Sequence, residues 1–223
     1  MRLFMNRREA GMLLAEQLIH YGSRENVVVL ALPRGGVPVG YEVAGALRSP
    51  LDVLIIRKIG CPGNPELAAG AVSETGVEVY NEDVLAMYRI PREYLVTEVK
   101  RQREEIARRA VRYRSGKGLI ALTGKIVILV DDGVATGATM NASIATLREE
   151  PLQKLVVALP VAPPSTAEEI RRTVDEWICV QTPERFGAVG NFYADFSQVS
   201  DEEVIRLLRE ADRNYRETAG DLP

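Results

Sequence analysis

The chain has 223 residues, 46% of them hydrophobic, enough to bury the core of one sizeable domain. Its net charge of −3 gives no support to wholesale nucleic-acid binding, and Cys61 and Cys179 stand far apart, outside any C-x-x-C pattern, which argues against a metal ribbon or a disulfide framework. With no apolar signal core at the N-terminus and no run approaching about 18 apolar residues, a soluble cytoplasmic protein is the expectation.

Asn6 to Glu9 reads as a capping box that opens a helix with Ala10, Leu13, Leu14 and Leu18 on one face. His20, the sole histidine, falls on this amphipathic segment, so a histidine-based triad is not expected. Val27 to Leu32 is a buried strand, Pro38 to Leu47 a helix, and Asp52 to Ile59 a second apolar strand. Gly76 to Tyr80 forms a short hairpin arm with Ala69 to Ser73. Pro91 to Arg114 is a long helix striped by Leu95, Val99, Ile106, Ala110 and Tyr113, with Gly116 just past its end. Its other faces carry six arginines between Arg101 and Arg114. Glu104 with Arg108 and Glu105 with Arg109 are ordinary i,i+4 pairs, which favours a solvated face over one that meets RNA. Ile126 to Val130 is a third strand and Met140 to Glu150 a helix-compatible run. Leu155 to Val161 is a strand, Ser165 to Glu168 a further capping box, Trp177 to Val180 a short last strand, and Ser200 to Glu203 the cap of a final helix. Strands alternating with helices imply a parallel sheet.

Two of the strand ends carry chemistry. Leu32-Pro33-Arg34-Gly35-Gly36 follows the first strand. Gly35 and Gly36 permit close backbone approach, and Arg34 offers a planar cation, a combination that suits pyrophosphate but is also compatible with a plain β-to-α turn. Ile126 to Thr139 is more specific: a wholly apolar strand, then Asp131-Asp132, then Ala135-Thr136-Gly137-Ala138-Thr139 at the start of a helix. Paired carboxylates accept hydrogen bonds from a vicinal diol and repel phosphate. The small and hydroxyl residues that follow offer N–H groups at a helix start, where the dipole favours an anion. A diol a few ångströms from a phosphate describes a ribose 5-phosphate. There is no Walker A lysine and no G-x-G-x-x-G.

Apolar strand, Asp-Asp, two small or apolar residues, Ala-Thr-Gly and then Thr resemble, in order, the ribose-phosphate motif of the type I phosphoribosyltransferases. The resemblance implies an α/β fold of that type: a central parallel sheet flanked by helices, with a small hood and an inserted helical segment. It implies one domain over 1–223, with the inserted lid and helical segment at about 60–118 and the hood at about 182–200 plus the N-terminal part. It implies transfer of 5-phosphoribosyl from 5-phosphoribosyl 1-pyrophosphate (PRPP) to a nitrogen nucleophile, with release of pyrophosphate and dependence on Mg²⁺. A homodimer is the expected assembly, with no membrane or nucleic-acid partner.

Residue by residue, the resemblance puts Asp131 and Asp132 on the ribose hydroxyls and, directly or through substrate or water, near the metal. Arg34, Gly35 and Gly36 fall on the pyrophosphate loop, where many members have a cis peptide; here the corresponding bond is Pro33–Arg34. Lys58 and Arg57 precede a Gly/Pro-rich stretch, Gly60 to Pro65, in the place of the family's mobile lid. Ala135 to Thr139 take the 5-phosphate. Phe192 and Tyr193, with Phe186 and Phe196, are candidates for stacking a base in the hood. Ala135 stands where 6-oxopurine-specific members usually carry Asp, and the intact acid pair departs from uracil-specific members, so the nucleophile stays open. Two alternatives remain at this point. One is a PRPP-sensing, RNA-binding regulator of the same fold. The other is a ribose-phosphate binder without transfer chemistry.

Overall fold

A computed structural model describes residues 2–220. The chain forms two compact units. Among the described residues, the first comprises 2–53, 119–137 and 151–220, and the second 54–118 and 138–150.

The first unit is built on a five-stranded parallel sheet in the order β2-β1-β6-β7-β8. The strands are β1 (Val27–Ala31), β2 (Leu51–Val53), β6 (Ile126–Val130), β7 (Lys154–Val161) and β8 (Glu176–Gln181). Every residue of β1 and β6 is buried, which is why both read as unbroken apolar runs. Helices α1 (Arg7–Leu18), α2 (Gly36–Leu47), α6 (Pro164–Arg171) and α7 (Asp201–Gly220) flank it. The chain runs from β1 to β2 on one side and then crosses to β6 on the other. The strand order therefore reverses between β1 and β6, the place where open α/β sheets leave a crevice outside their carboxyl ends.

The second unit holds an antiparallel sheet, β3 (Ile56–Cys61), β4 (Asn64–Ser73) and β5 (Glu78–Tyr80), with α3 (Glu82–Tyr88), α4 (Arg92–Arg114) and α5 (Ala138–Arg148). The expected hairpin between 69–73 and 76–80 is present as β4 and β5. The single strand expected over Asp52 to Ile59 is corrected. Residues 51–53 pair with β1, while 56–61 pair with β4, so the apolar run is divided between two sheets. Periodicity cannot separate the two pieces, because no turn residue marks the break. Arg57 and Lys58 consequently sit within a strand rather than at its end, and Pro62-Gly63 is the hairpin tip, with Gly63 at φ +73°.

Side-chain caps start some of the helices. Asn6 Oδ1 accepts from Glu9 N at 3.0 Å, and Glu9 Oε2 accepts from Met5 N at 2.6 Å, one residue earlier than a standard box. Ser200 Oγ accepts from Glu203 N at 3.1 Å and starts α7. The box expected at Ser165 is not formed: α6 begins at Pro164 after Pro163, and Ser165 lies exposed inside the first turn. Proline supplies the helical φ there and lacks the N–H that a cap would satisfy. No helix among the described residues is long and apolar enough to cross a membrane.

Candidate functional site

The parallel register Ala31↔Val130 puts the ends of β1 and β6 side by side, and Leu32 N donates to Val130 O at 2.9 Å. The two loops singled out by sequence therefore leave the sheet together at its reversal point. The Pro33–Arg34 peptide bond is cis. Gly35 has an ordinary helical φ of −61°, so its small size matters for space and not for backbone freedom. A Cβ there would collide with the Asp132 carboxylate, lying 2.7 Å from its Cγ, and a Cβ at Gly36 would lie 2.9 Å from Asp131 Cα. In the structure these glycines let the Arg34 loop close onto the acid pair.

Asp131 and Asp132 line a cavity of about 410 Å³ with Arg7, Arg34, Gly35, Phe196, Gln198 and Val199. Asp131 Oδ1 accepts from Asp132 N at 2.8 Å. Burial, then the charge of Asp132, pushes the Asp131 carboxyl well above the usual carboxylate range. Burial also raises Asp132, while the Arg7 guanidinium opposes that rise. Arg34 Nη1 lies 3.8 Å from Asp201 Oδ1, too far for a hydrogen bond. Its guanidinium is more than a third exposed at the cavity.

Arg7 was missed by sequence reasoning. Its Nε donates to Asp132 Oδ2 at 2.7 Å and its Nη1 to Ser197 O at 2.8 Å. No pattern in the chain separates Arg7 from its neighbour Arg8, which pairs instead with Glu42 on α2.

Beyond the acids, Gly137 adopts φ +78°, a left-handed conformation that favours glycine. Ala135 and Thr136 are exposed, and Thr166 Oγ1 donates to Ala135 O at 2.8 Å, tying the loop to α6. Ala138 and Thr139 form the first turn of α5 and are also exposed. The first N–H groups of a helix have no intrahelical partner, so this turn retains donors for an anion.

In the second unit, Arg57 Nε donates to Gln102 Oε1 on α4 at 2.9 Å. Burial, followed by the charge of Arg109, holds Arg57 below its usual range. Lys58 is exposed on β3.

The hood aromatics are corrected. Phe192 is 1% exposed and Tyr193 5%. They pack with Phe4, Ala10 and Val161 in a local core, so neither ring offers a face to a substrate. The reason lies in the N-terminal segment: Phe4 N donates to Phe192 O at 2.9 Å, and Ala194 N donates to Phe4 O at 2.7 Å, closing a bridge over these rings. Phe196, 37% exposed, lines the cavity instead, with the Arg7 guanidinium 3.9 Å from its ring centroid.

The model of the phosphoribosyl transferase domain matches residues 5–197. The chain belongs to this family. Two Mycobacterium tuberculosis proteins, MT0597 and Rv0571c, provisionally named phosphoribosyl transferases, are each 44% identical over 217 residues, 97% of this chain and 49% of theirs. The chain thus spans about half the length of the curated relatives it matches. The crystal structure of TT1426 from Thermus thermophilus is 46% identical, with a TM-score of 0.81 over 94% of this chain and 99% of that one. Membership makes the α/β type I phosphoribosyltransferase fold that of this phosphoribosyl transferase domain.

Proposed function

We propose that the protein transfers 5-phosphoribosyl from PRPP to a nitrogen nucleophile and releases pyrophosphate. The observation that carries this is the meeting of the acid pair and the Arg34 loop in one cavity at the sheet's reversal point. Asp131 and Asp132 accept from the 2- and 3-hydroxyls of the ribose. The loop through Ala135, Thr136 and Gly137, continuing into Ala138 and Thr139, takes the 5-phosphate. Arg34 meets pyrophosphate oxygens as the C1–O bond lengthens and negative charge gathers on the leaving group. Arg57 and Lys58 are assigned to anion contact through the family resemblance.

As that bond breaks, positive charge spreads over C1 and the ring oxygen, and nearby carboxylates favour it, as they do in glycoside hydrolysis. The nucleophile attacks C1 from the opposite face, with inversion. Asp131 and Asp132 would hold Mg²⁺, directly or through substrate or water, and the ion would supply Lewis-acid stabilisation of the leaving group. The acid pair fits such a hard cation. Among the described residues no group of three His, Cys, Asp or Glu side chains surrounds a site, so substrate and water would complete its shell.

The regulatory RNA-binding alternative gains no support from α4. Arg101 pairs with Glu98, Arg103 with Glu78, Arg108 and Arg109 with Glu105, and Arg114 with Glu74. Two guanidiniums hold the Glu105 carboxyl down at about 2. Cations so matched add little to attraction for phosphate.

Pyrophosphate release from PRPP and Mg²⁺, measured against a panel of bases, amines and ammonia, tests the activity. One acceptor should give turnover. Asp131→Asn with Asp132→Asn should abolish PRPP binding by calorimetry, and tight binding by the double variant would remove the pair from its assigned role.

A further inference from the structure

Arg7 lines the acid-pair cavity yet belongs to none of the motifs that mark it. It is the first residue of α1, fixed there by the Asn6 cap. Its side chain is 11% exposed and is gripped from three directions: the Asp132 carboxylate at Nε, the Ser197 carbonyl at Nη1, and the Phe196 ring beneath the guanidinium plane. Phe196 packs in turn on Tyr193 at 5.1 Å between centroids, and the Tyr193 hydroxyl donates to the main-chain oxygen of Asp132. Asp132 is therefore tied to the hood twice, through its side chain by Arg7 and through its backbone by Tyr193. On its other flank Gly35 leaves no room for the carboxylate to move toward the Arg34 loop. Arg8 makes a useful contrast: its side chain is 70% exposed and forms an ordinary surface pair with Glu42.

We propose that Arg7 is a positioning residue that clamps the Asp132 carboxylate to the hood and so fixes the grip of the acid pair on the ribose hydroxyls. This rests on the transferase reading of the site. The hood aromatics then acquire a role other than base stacking: Phe192 and Tyr193 are the foundation, and Phe196 the platform on which the guanidinium lies. A lysine could supply the charge, but not two directed N–H bonds together with a planar face for Phe196.

The test compares wild type, Arg7→Met, Arg7→Lys and Phe196→Leu by calorimetric titration with ribose 5-phosphate and, separately, with pyrophosphate, both without metal. Arg7→Met should weaken ribose 5-phosphate about tenfold or more, the scale of losing one charge-assisted hydrogen bond. Pyrophosphate affinity should stay within about twofold, because Arg34 is untouched. Arg7→Lys should recover part of the loss, and Phe196→Leu should fall between. An equal loss for both ligands, or none for ribose 5-phosphate, would overturn the proposal. Hydrogen exchange on the ligand-free protein supplies an independent arm. Arg7→Met should speed exchange over 193–199 and at Asp132, with residues 156–159 of β7 as the unchanged control; no change in the hood would overturn the clamp. If wild-type protein binds neither ligand, the transferase reading falls, and the exchange data still decide whether Arg7 couples hood and acid pair.

Discussion

Two adjacent carboxylates at a partly closed strand end are costly while no ligand shares their charge. Burial and the Asp132 charge raise Asp131, so the folded protein holds that proton to higher pH than the unfolded chain does. A raised acid contributes stability that is fully present below the unfolded value, about 3.9, and is lost as pH rises through the folded one. Asp131→Asn should therefore raise the melting temperature at about pH 8 without metal, with the advantage shrinking toward about pH 4. Thermal unfolding of both proteins across that range reads it directly, and a constant difference would contradict the sign. Gly35 makes the converse case. Gly35→Ala drives a methyl into the Asp132 carboxylate, and such overpacking costs about 1–3 kcal/mol. Urea unfolding should show that loss together with weaker PRPP binding. The acid-pair motif was legible from residue order, because few other chemistries need that succession, whereas the Arg34 loop, equally compatible with a plain β-to-α turn, drew its meaning from that motif. Arg7 was not: its role depends on a partner 125 residues away.

At the scale of elements, caps and apolar runs located most of the helices and strands. Ile126–Val130 has the bounds its composition implied, and Asn81, which caps the start of α3 by accepting from Val84 N at 3.2 Å, follows the same rule. Two serines test how far a cap motif can be trusted. Ser200→Ala should cost about 1 kcal/mol, because its hydroxyl holds the first turn of α7. Ser165→Ala should change stability by less than about 0.5 kcal/mol, because it is exposed and caps nothing. Denaturant midpoints at equal slope separate the two, and equal losses would mean that the Pro163–Pro164 entry does not replace a cap. Pattern failed at 51–61, where one apolar run serves two sheets: β-propensity marks a strand but is silent on its partner.

For the whole molecule, the second unit has its own internal anchor. Arg114 at the end of α4 pairs with Glu74 at 2.5 Å, their side chains only 5% and 8% exposed. Glu74 also accepts from Ile55 N at 2.8 Å, at the start of that unit. Removing one member of a buried pair leaves the other charge uncompensated, so Arg114→Ala should destabilise by about 3–5 kcal/mol. Hydrogen exchange should show the loss over 54–118 first; a uniform loss that includes β1 and β6 would refute a local anchor. The sequence by itself determined the alternation of strands and helices, the apolar centre of the parallel sheet and the acid-pair loop, because each is a local pattern of polarity and size. Only the tertiary structure decided that residues 51–61 divide between sheets, that Phe192 and Tyr193 are core, and that Arg7 meets Asp132. Those outcomes depend on which surfaces remain to be covered once the sheet has formed, and spacing along the chain does not encode that.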